Sequence, residues 1–136
     1  VNVVFPMHPR TKRKLTEINL YDKVEKNLNI IEPQSYNNIL NLIKFSDMVV
    51  SDSGGIPKEA AFLKTPSIFI GENIVWFELL EQNWSYLLNP SEINNLVSVY
   101  NLFKNDEKRK LLEGFGDGKA AIKIAEYMHR INVKNA

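Results

Sequence analysis

Met48-Val49-Val50-Ser51-Asp52-Ser53-Gly54-Gly55-Ile56-Pro57-Lys58-Glu59-Ala60-Ala61-Phe62-Leu63 is the stretch that decides the fold. Its first three residues are apolar and read as a strand. A polar, Gly-rich turn ends that strand. The residues from Ile56 read as a helix, with Pro57 in the first turn, where a missing N–H costs nothing. Strand, tight turn and helix make the front half of a βαβ unit. Ser67-Ile68-Phe69-Ile70, closed by Gly71, supplies its second strand.

The same alternation continues in both directions. Towards the N-terminus, Val1-Asn2-Val3-Val4-Phe5 reads as a strand ended by Pro6, residues 12–20 as a short helix, and Asn29-Ile30-Ile31-Glu32 as a strand stopped by Pro33. Ser35 is a candidate N-cap for a helix in which Ile39, Leu42 and Ile43 recur at helical spacing. Towards the C-terminus, residues 76–82 read as helical and Tyr86-Leu87-Leu88 as a weaker strand. Ser91 is expected to cap a helix reaching Phe103, Asp106 to open another short helix, and Gly118 to precede a last helix ending near Ile131. The fold class is α/β: a Rossmann-like parallel sheet with helices on both faces, joined by right-handed βαβ units. The strands are continuous apolar runs, which predicts burial on both faces.

With 136 residues the chain suits one domain. Hydrophobic residues make up 44% and charged residues 24%, which suits a packed core and excludes general disorder. Seventeen basic and 16 acidic side chains give a net charge of +1, against a dedicated nucleic-acid binder. The absence of cysteine excludes disulfide scaffolds and thiol nucleophiles, and suggests an intracellular, cytoplasmic setting. No apolar run approaches the ~20 residues of a membrane span. The chain starts at Val1 rather than Met, so a piece of something longer is expected.

In open parallel sheets, ligands bind beyond the carboxyl ends of the strands. The residues at those positions here are polar, positive or Gly-rich: His8 and Arg10 after the first strand, Ser53, Gly54 and Gly55 after the third, and Gly71 after the fourth. Ser53-Gly54-Gly55 before a helix can cradle an anion. Glycine lets the backbone approach closely and adopt φ > 0, and a helix start offers free N–H donors. The same stretch also suits a plain tight turn. Glu59 can accept from ribose hydroxyls or merely favour the helix start. His8 with Arg10, on a loop stiffened by Pro6 and Pro9, suits a diphosphate, though a loop His is often just solvated. Gly114-Phe115-Gly116-Asp117-Gly118-Lys119 does not follow a strand, so it reads as a helix–helix corner. Trp76, Phe77 and Trp84 read as packing residues, with base or sugar stacking open to them.

Four stretches together resemble a known family. They are Val4-Phe5-Pro6-Met7-His8-Pro9-Arg10-Thr11, Ile31-Glu32-Pro33-Gln34-Ser35-Tyr36, Ser51-Asp52-Ser53-Gly54-Gly55-Ile56-Pro57-Lys58-Glu59 and Gly116-Asp117-Gly118-Lys119-Ala120-Ala121. In order and spacing they are similar to the C-terminal half of the non-hydrolysing UDP-N-acetylglucosamine 2-epimerases, over essentially the whole chain. The resemblance implies one half of a glycosyltransferase-B type fold, a single UDP-binding C-terminal domain over residues 1–136, whose N-terminal domain is absent here.

It further implies that Ser53, Gly54 and Gly55 contact the diphosphate, that Glu59 binds the ribose, and that His8 assists departure of UDP. Arg10 belongs to the same motif as His8, and Ile39 stands where many members place a Phe against the uracil. The implied reaction inverts C2 of the sugar by elimination and re-addition of UDP, with acid/base carboxylates mainly on the N-terminal domain. A non-catalytic nucleotide-sugar-binding homologue or a glycosyltransferase domain are the alternatives. The implied partners are UDP, a UDP-N-acetylhexosamine, the missing N-terminal domain and a second copy in a homodimer, with no cofactor, metal, nucleic acid or membrane. After the fourth strand the family usually reads Arg-x-x-Thr-Glu-Arg-Pro-Glu, whereas here Gly71 and Trp76 replace the arginines and only Glu78 matches.

Overall fold

A computed structural model describes residues 1–134, and it falls into two compact units, Val1–Leu42 and a second that starts at Ile43. All strand pairing is parallel, and the fold class is α/β, as the alternation of elements predicts.

In the first unit, β1 (Val4–Pro6) pairs with β2 (Asn29–Ile31), with Phe5 opposite Ile30. The strand thus begins later than expected and includes Pro6. Proline has no N–H to give, and the ladder continues past it through Met7 N–H to the Ile31 carbonyl, 3.0 Å. α1 (Pro9–Glu17) starts three residues before the expected Lys12, because Pro9 takes a first-turn position and His8 caps the helix. α2 (Tyr21–Asn27), which the sequence reading did not anticipate, follows after a sharp break. Asn19 makes that break with φ +56°, a left-handed conformation that Asn tolerates. Asn19 N–H returns to the Thr16 carbonyl and Leu20 N–H to the Leu15 carbonyl, the paired bonds of a Schellman end. α3 (Tyr36–Lys44) begins after Ser35, whose Oγ accepts from Asn38 N–H at 3.4 Å, as expected of an N-cap.

The second unit holds β3 (Val49–Ser51), β4 (Ser67–Ile70) and β5 (Ser85–Leu88) in the order β3-β4-β5. α4 (Ile56–Phe62) connects the first two and α5 (Phe77–Glu81) the last two. Lys64 (φ +62°) and Asn83 (φ +58°) end these helices with the same paired return bonds as Asn19. Ile68, Leu88 and Val99 form the buried core, walled by Met48, Leu96 and Tyr100. Each fully buried aliphatic side chain stabilises by about 1.5–3 kcal/mol. The buried hydroxyls are paired: Ser67 Oγ meets Ser85 Oγ at 3.1 Å, and Thr65 Oγ1 donates to the Ile43 carbonyl at 2.9 Å. Burial on both faces holds for Ser67, Ile68 and Phe69 of the central strand. It fails for the flanking strands, where Val50 is 44% and Tyr86 41% exposed.

Beyond β5 the structure departs from expectation. Asn89, not Ser91, caps the next element, accepting from Ser91 N–H. That element is a 3-10 turn, Pro90–Asn95, bent at Glu92, and only then does α6 (Leu96–Phe103) begin. No helix opens at Asp106, whose carboxylate instead accepts from Lys108 N–H in a local turn. The chain from 108 to 113 has no regular structure beyond the turn at Lys108 and forms a strap fastened to residues 82–84. Lys110 N–H bonds the Gln82 carbonyl, Gln82 and Glu113 bond reciprocally, Asn83 Nδ2 reaches the Lys108 carbonyl, and Trp84 Nε1 reaches the Lys110 carbonyl. α7 (Ala120–Lys134) closes the described chain.

Candidate functional site

Because β3 and β4 are parallel neighbours, the loops after their carboxyl ends lie side by side. The loop after β3 is held first by a local bond: Ser51 Oγ accepts from Ser53 N–H at 3.0 Å. The Gly55 carbonyl then accepts from both Lys58 N–H and Glu59 N–H, each at 3.2 Å, which starts α4. Ser53, Gly54 and Gly55 are all exposed. Among the described residues, the N–H groups of Gly54 and Gly55 have no protein acceptor.

The glycines serve the turn differently from expectation. Gly55 is right-handed (φ −86°, ψ −38°), and the positive-φ glycines are Gly114, Gly116 and Gly118 instead. What Gly54 and Gly55 provide is space: a Cβ built on either meets nothing within 4 Å. The turn is an open shelf edged by free amide donors. Glu59 lies in the first turn of α4, half-buried, and its carboxylate meets no protein donor among the described residues.

The loop after β4 supplies a contact that the sequence reading missed. The Trp76 indole N–H donates to the Gly54 carbonyl at 2.8 Å. The Lys58 ammonium lies 4.3 Å from the Trp76 ring and 5.4 Å from Phe115. Phe115 packs against Trp76 at 5.9 Å and against Phe62 at 5.6 Å. The 114–119 loop is therefore no helix–helix corner: the strap precedes it, and it delivers Phe115 onto the aromatic cluster beside α4. The signal in the sequence was topological, since residues following adjacent parallel strands must share one edge.

In the first unit, His8 and Arg10 come together at the start of α1. His8 Nδ1 accepts from Arg10 N–H at 3.1 Å. With its Nδ1 used as acceptor, the imidazole carries its hydrogen on Nε2, which is left as an outward donor. Arg10 is in the helix rather than on a loop, and exposed. Ile39 lies in α3, half-buried. His8, Arg10 and Ile39 thus belong to the first unit, and Ser53, Gly54, Gly55 and Glu59 to the second.

Comparison with known proteins decides the family. The family model for UDP-N-acetylglucosamine 2-epimerase matches residues 1–129. The chain belongs to the UDP-N-acetylglucosamine 2-epimerase family. Among its relatives, the UDP-N-acetylglucosamine 2-epimerase of Methanocaldococcus jannaschii is 34% identical over 128 residues, covering 93% of this chain and 34% of the relative. A homologue of the epimerase from Methanococcus maripaludis is 31% identical over 133 residues, covering 95% and 36%. The crystal structure of the Methanocaldococcus jannaschii epimerase in complex with UDP-GlcNAc and UDP superposes with a TM-score of 0.83 at 32% identity, covering 95% of this chain and 36% of that one. This member of the epimerase family spans about a third of the length of the relatives it matches. Among the described residues, no helix is long and apolar enough to cross a membrane.

Proposed function

We propose that this chain is the UDP-holding part of an enzyme that interconverts UDP-N-acetylglucosamine and its C2 epimer. The observation that carries the reading is the open shelf at 53–55, with unpaired amide donors and no side chain to fill it, one helical turn before a half-buried carboxylate that lacks a protein donor. A diphosphate needs donors and room. A ribose needs an acceptor a short distance away. Relatives named for UDP-N-acetylglucosamine support that match.

In this reading Ser53 and the 54–55 amides take the diphosphate, Glu59 the ribose hydroxyls, and Ile39 gives an apolar contact to the uracil. Elimination breaks the bond between C1 of the sugar and the diphosphate oxygen while a base removes the C2 proton. Negative charge then grows on the departing UDP. Donors that meet that charge lower the barrier, and this reading assigns that task to His8 Nε2–H, with Arg10 in the same motif. Re-addition of UDP after protonation on the other face completes the inversion. The groups that move the C2 proton belong to a companion N-terminal domain, consistent with the coverage of a third of the relatives, and the cytoplasm is the expected setting.

The test is calorimetry of the chain with UDP, UMP and UDP-N-acetylglucosamine. UDP should bind with heat, and more tightly than UMP by the contribution of the second phosphate. Absence of UDP binding at millimolar ligand refutes the reading.

A further inference from the structure

Residues 53–55 are exposed. Two glycines stand in succession there, and a Cβ on either would meet no atom within 4 Å. A peptide unit flanked by glycines has the widest choice of backbone angles of any. Left alone, the Gly54–Gly55 peptide plane can turn over and aim its N–H anywhere. Yet among the described residues one hydrogen bond holds this peptide unit, and it comes from a residue far along the chain. It is the Trp76 indole N–H on the Gly54 carbonyl, at 2.8 Å.

We propose that Trp76 is a positioning residue for the diphosphate: by latching the Gly54 carbonyl it aims the Gly55 N–H into the open shelf. The geometry follows from the trans peptide bond, in which the C=O of one residue and the N–H of the next point in opposite directions. Holding the Gly54 oxygen on the indole side turns the Gly55 N–H to the other side, where no protein acceptor waits. The latch is itself held. The Lys58 ammonium lies on the Trp76 ring at 4.3 Å, a favourable cation–π distance, and Phe115 braces the same ring at 5.9 Å. Sequence alone ranks Trp76 as a packing residue. Its N–H makes it the pin of the turn. This role rests on the reading of 53–55 as the diphosphate seat.

The test compares ligands with and without the diphosphate in the full chain carrying Trp76→Phe. Phenylalanine keeps a ring for Lys58 and Phe115 and removes the N–H. UDP affinity should fall about 3- to 10-fold, the scale of one oriented hydrogen bond. Uridine affinity, followed by competition, should stay within about twofold, because the sugar and base do not use the Gly55 amide. The Gly55 amide resonance should move in the free protein. A merely structural Trp76 would weaken both ligands equally, and that result, or unchanged UDP affinity, overturns the positioning role while leaving the UDP site standing. Failure of the unaltered chain to bind UDP overturns the site and this role together. Should Trp76→Phe fold poorly, the unaltered chain still decides: its Trp76 indole N–H should exchange slowly with solvent and shift when UDP is added, and fast exchange overturns the latch.

Discussion

Gly55→Ala separates folding from binding more cleanly than any other single change in this chain. Gly55 is right-handed (φ −86°, ψ −38°), a conformation alanine adopts freely, and its new methyl would meet no protein atom within 4 Å. Two opposed terms set the stability change. Removing glycine restricts the unfolded chain and stabilises by about 0.4–1 kcal/mol. Alanine is a poorer N-cap than glycine, which costs about 0.5–1 kcal/mol. They nearly cancel, so the melting temperature should move by no more than about 3 °C. Binding has no such cancellation. The methyl enters the shelf where a phosphate oxygen must come to about 2.9 Å from the amide nitrogen. Losing one hydrogen bond to a charged group costs about 1.5–3 kcal/mol, or roughly 10- to 150-fold in affinity. Thermal melts followed by circular dichroism, with UDP calorimetry on the same sample, read both quantities. A variant that binds UDP within twofold of the parent refutes the shelf as the diphosphate seat. A melting temperature lowered by more than about 8 °C refutes the open geometry itself.

Three further outcomes test the scaffold. Lys64→Gly should stabilise by about 0.5–1 kcal/mol, because Lys64 sits at φ +62° where a side chain is strained; an unchanged urea midpoint would show that the turn relaxes in solution. Arg109→Met should destabilise by about 1.5–3 kcal/mol, since the guanidinium donates to the Phe103, Lys104 and Asp106 carbonyls just past α6; a midpoint within 0.3 kcal/mol of the parent, on the order of measurement error, would deny it that capping role. Asp117 is held below its ordinary carboxyl range, chiefly by Lys123 and then by Lys119 N–H. A depressed folded value means its contribution is present above the ordinary value of 3.8 and lost as pH falls through the folded value, so the stability gap between the parent and Asp117→Asn should close in strong acid; a gap constant down to about pH 2 would contradict the pairing.

The legible parts of the fold were those written in local chemistry. Residues 67–70 form a strand with the expected ends because Pro66 and Gly71 bracket an apolar run. α4 starts where Pro57 predicts, and Ser35 caps α3. Boundaries written in less usual residues were misplaced. α1 is capped by an imidazole rather than by a hydroxyl or carboxylate. Three helices end on Asn19, Lys64 and Asn83 in the left-handed region, where glycine is the common signal. α2 has no buried residue, so no apolar stripe announces it. The strap at 108–113 is held by bonds between residues 25 to 31 positions apart, such as Asn83 to Lys108 and Gln82 to Glu113, which no local period records. The candidate site divides the same way: Ser53, Gly54, Gly55 and Glu59 stand out as a motif, whereas Trp76 gains its meaning only when β3 and β4 pair.

The two departures from the family pattern after β4 find their reasons in this chain's own packing. Gly71 stands where the family resemblance leads one to expect an arginine. A Cβ there would lie 2.6 Å from Cε1 of Phe69, a buried residue. An arginine at 71 would have to displace that ring, at a cost of about 1–3 kcal/mol. Trp76, where the same resemblance leads one to expect a second arginine, lies one indole bond from the shelf. A guanidinium at 76 would set a second positive charge beside Lys58, and the two would repel. The indole does the opposite and draws the ammonium onto its face. Positions 58 and 76 are thus matched: the ring at 76 holds the Lys58 ammonium on its face and the Gly54 carbonyl by its N–H.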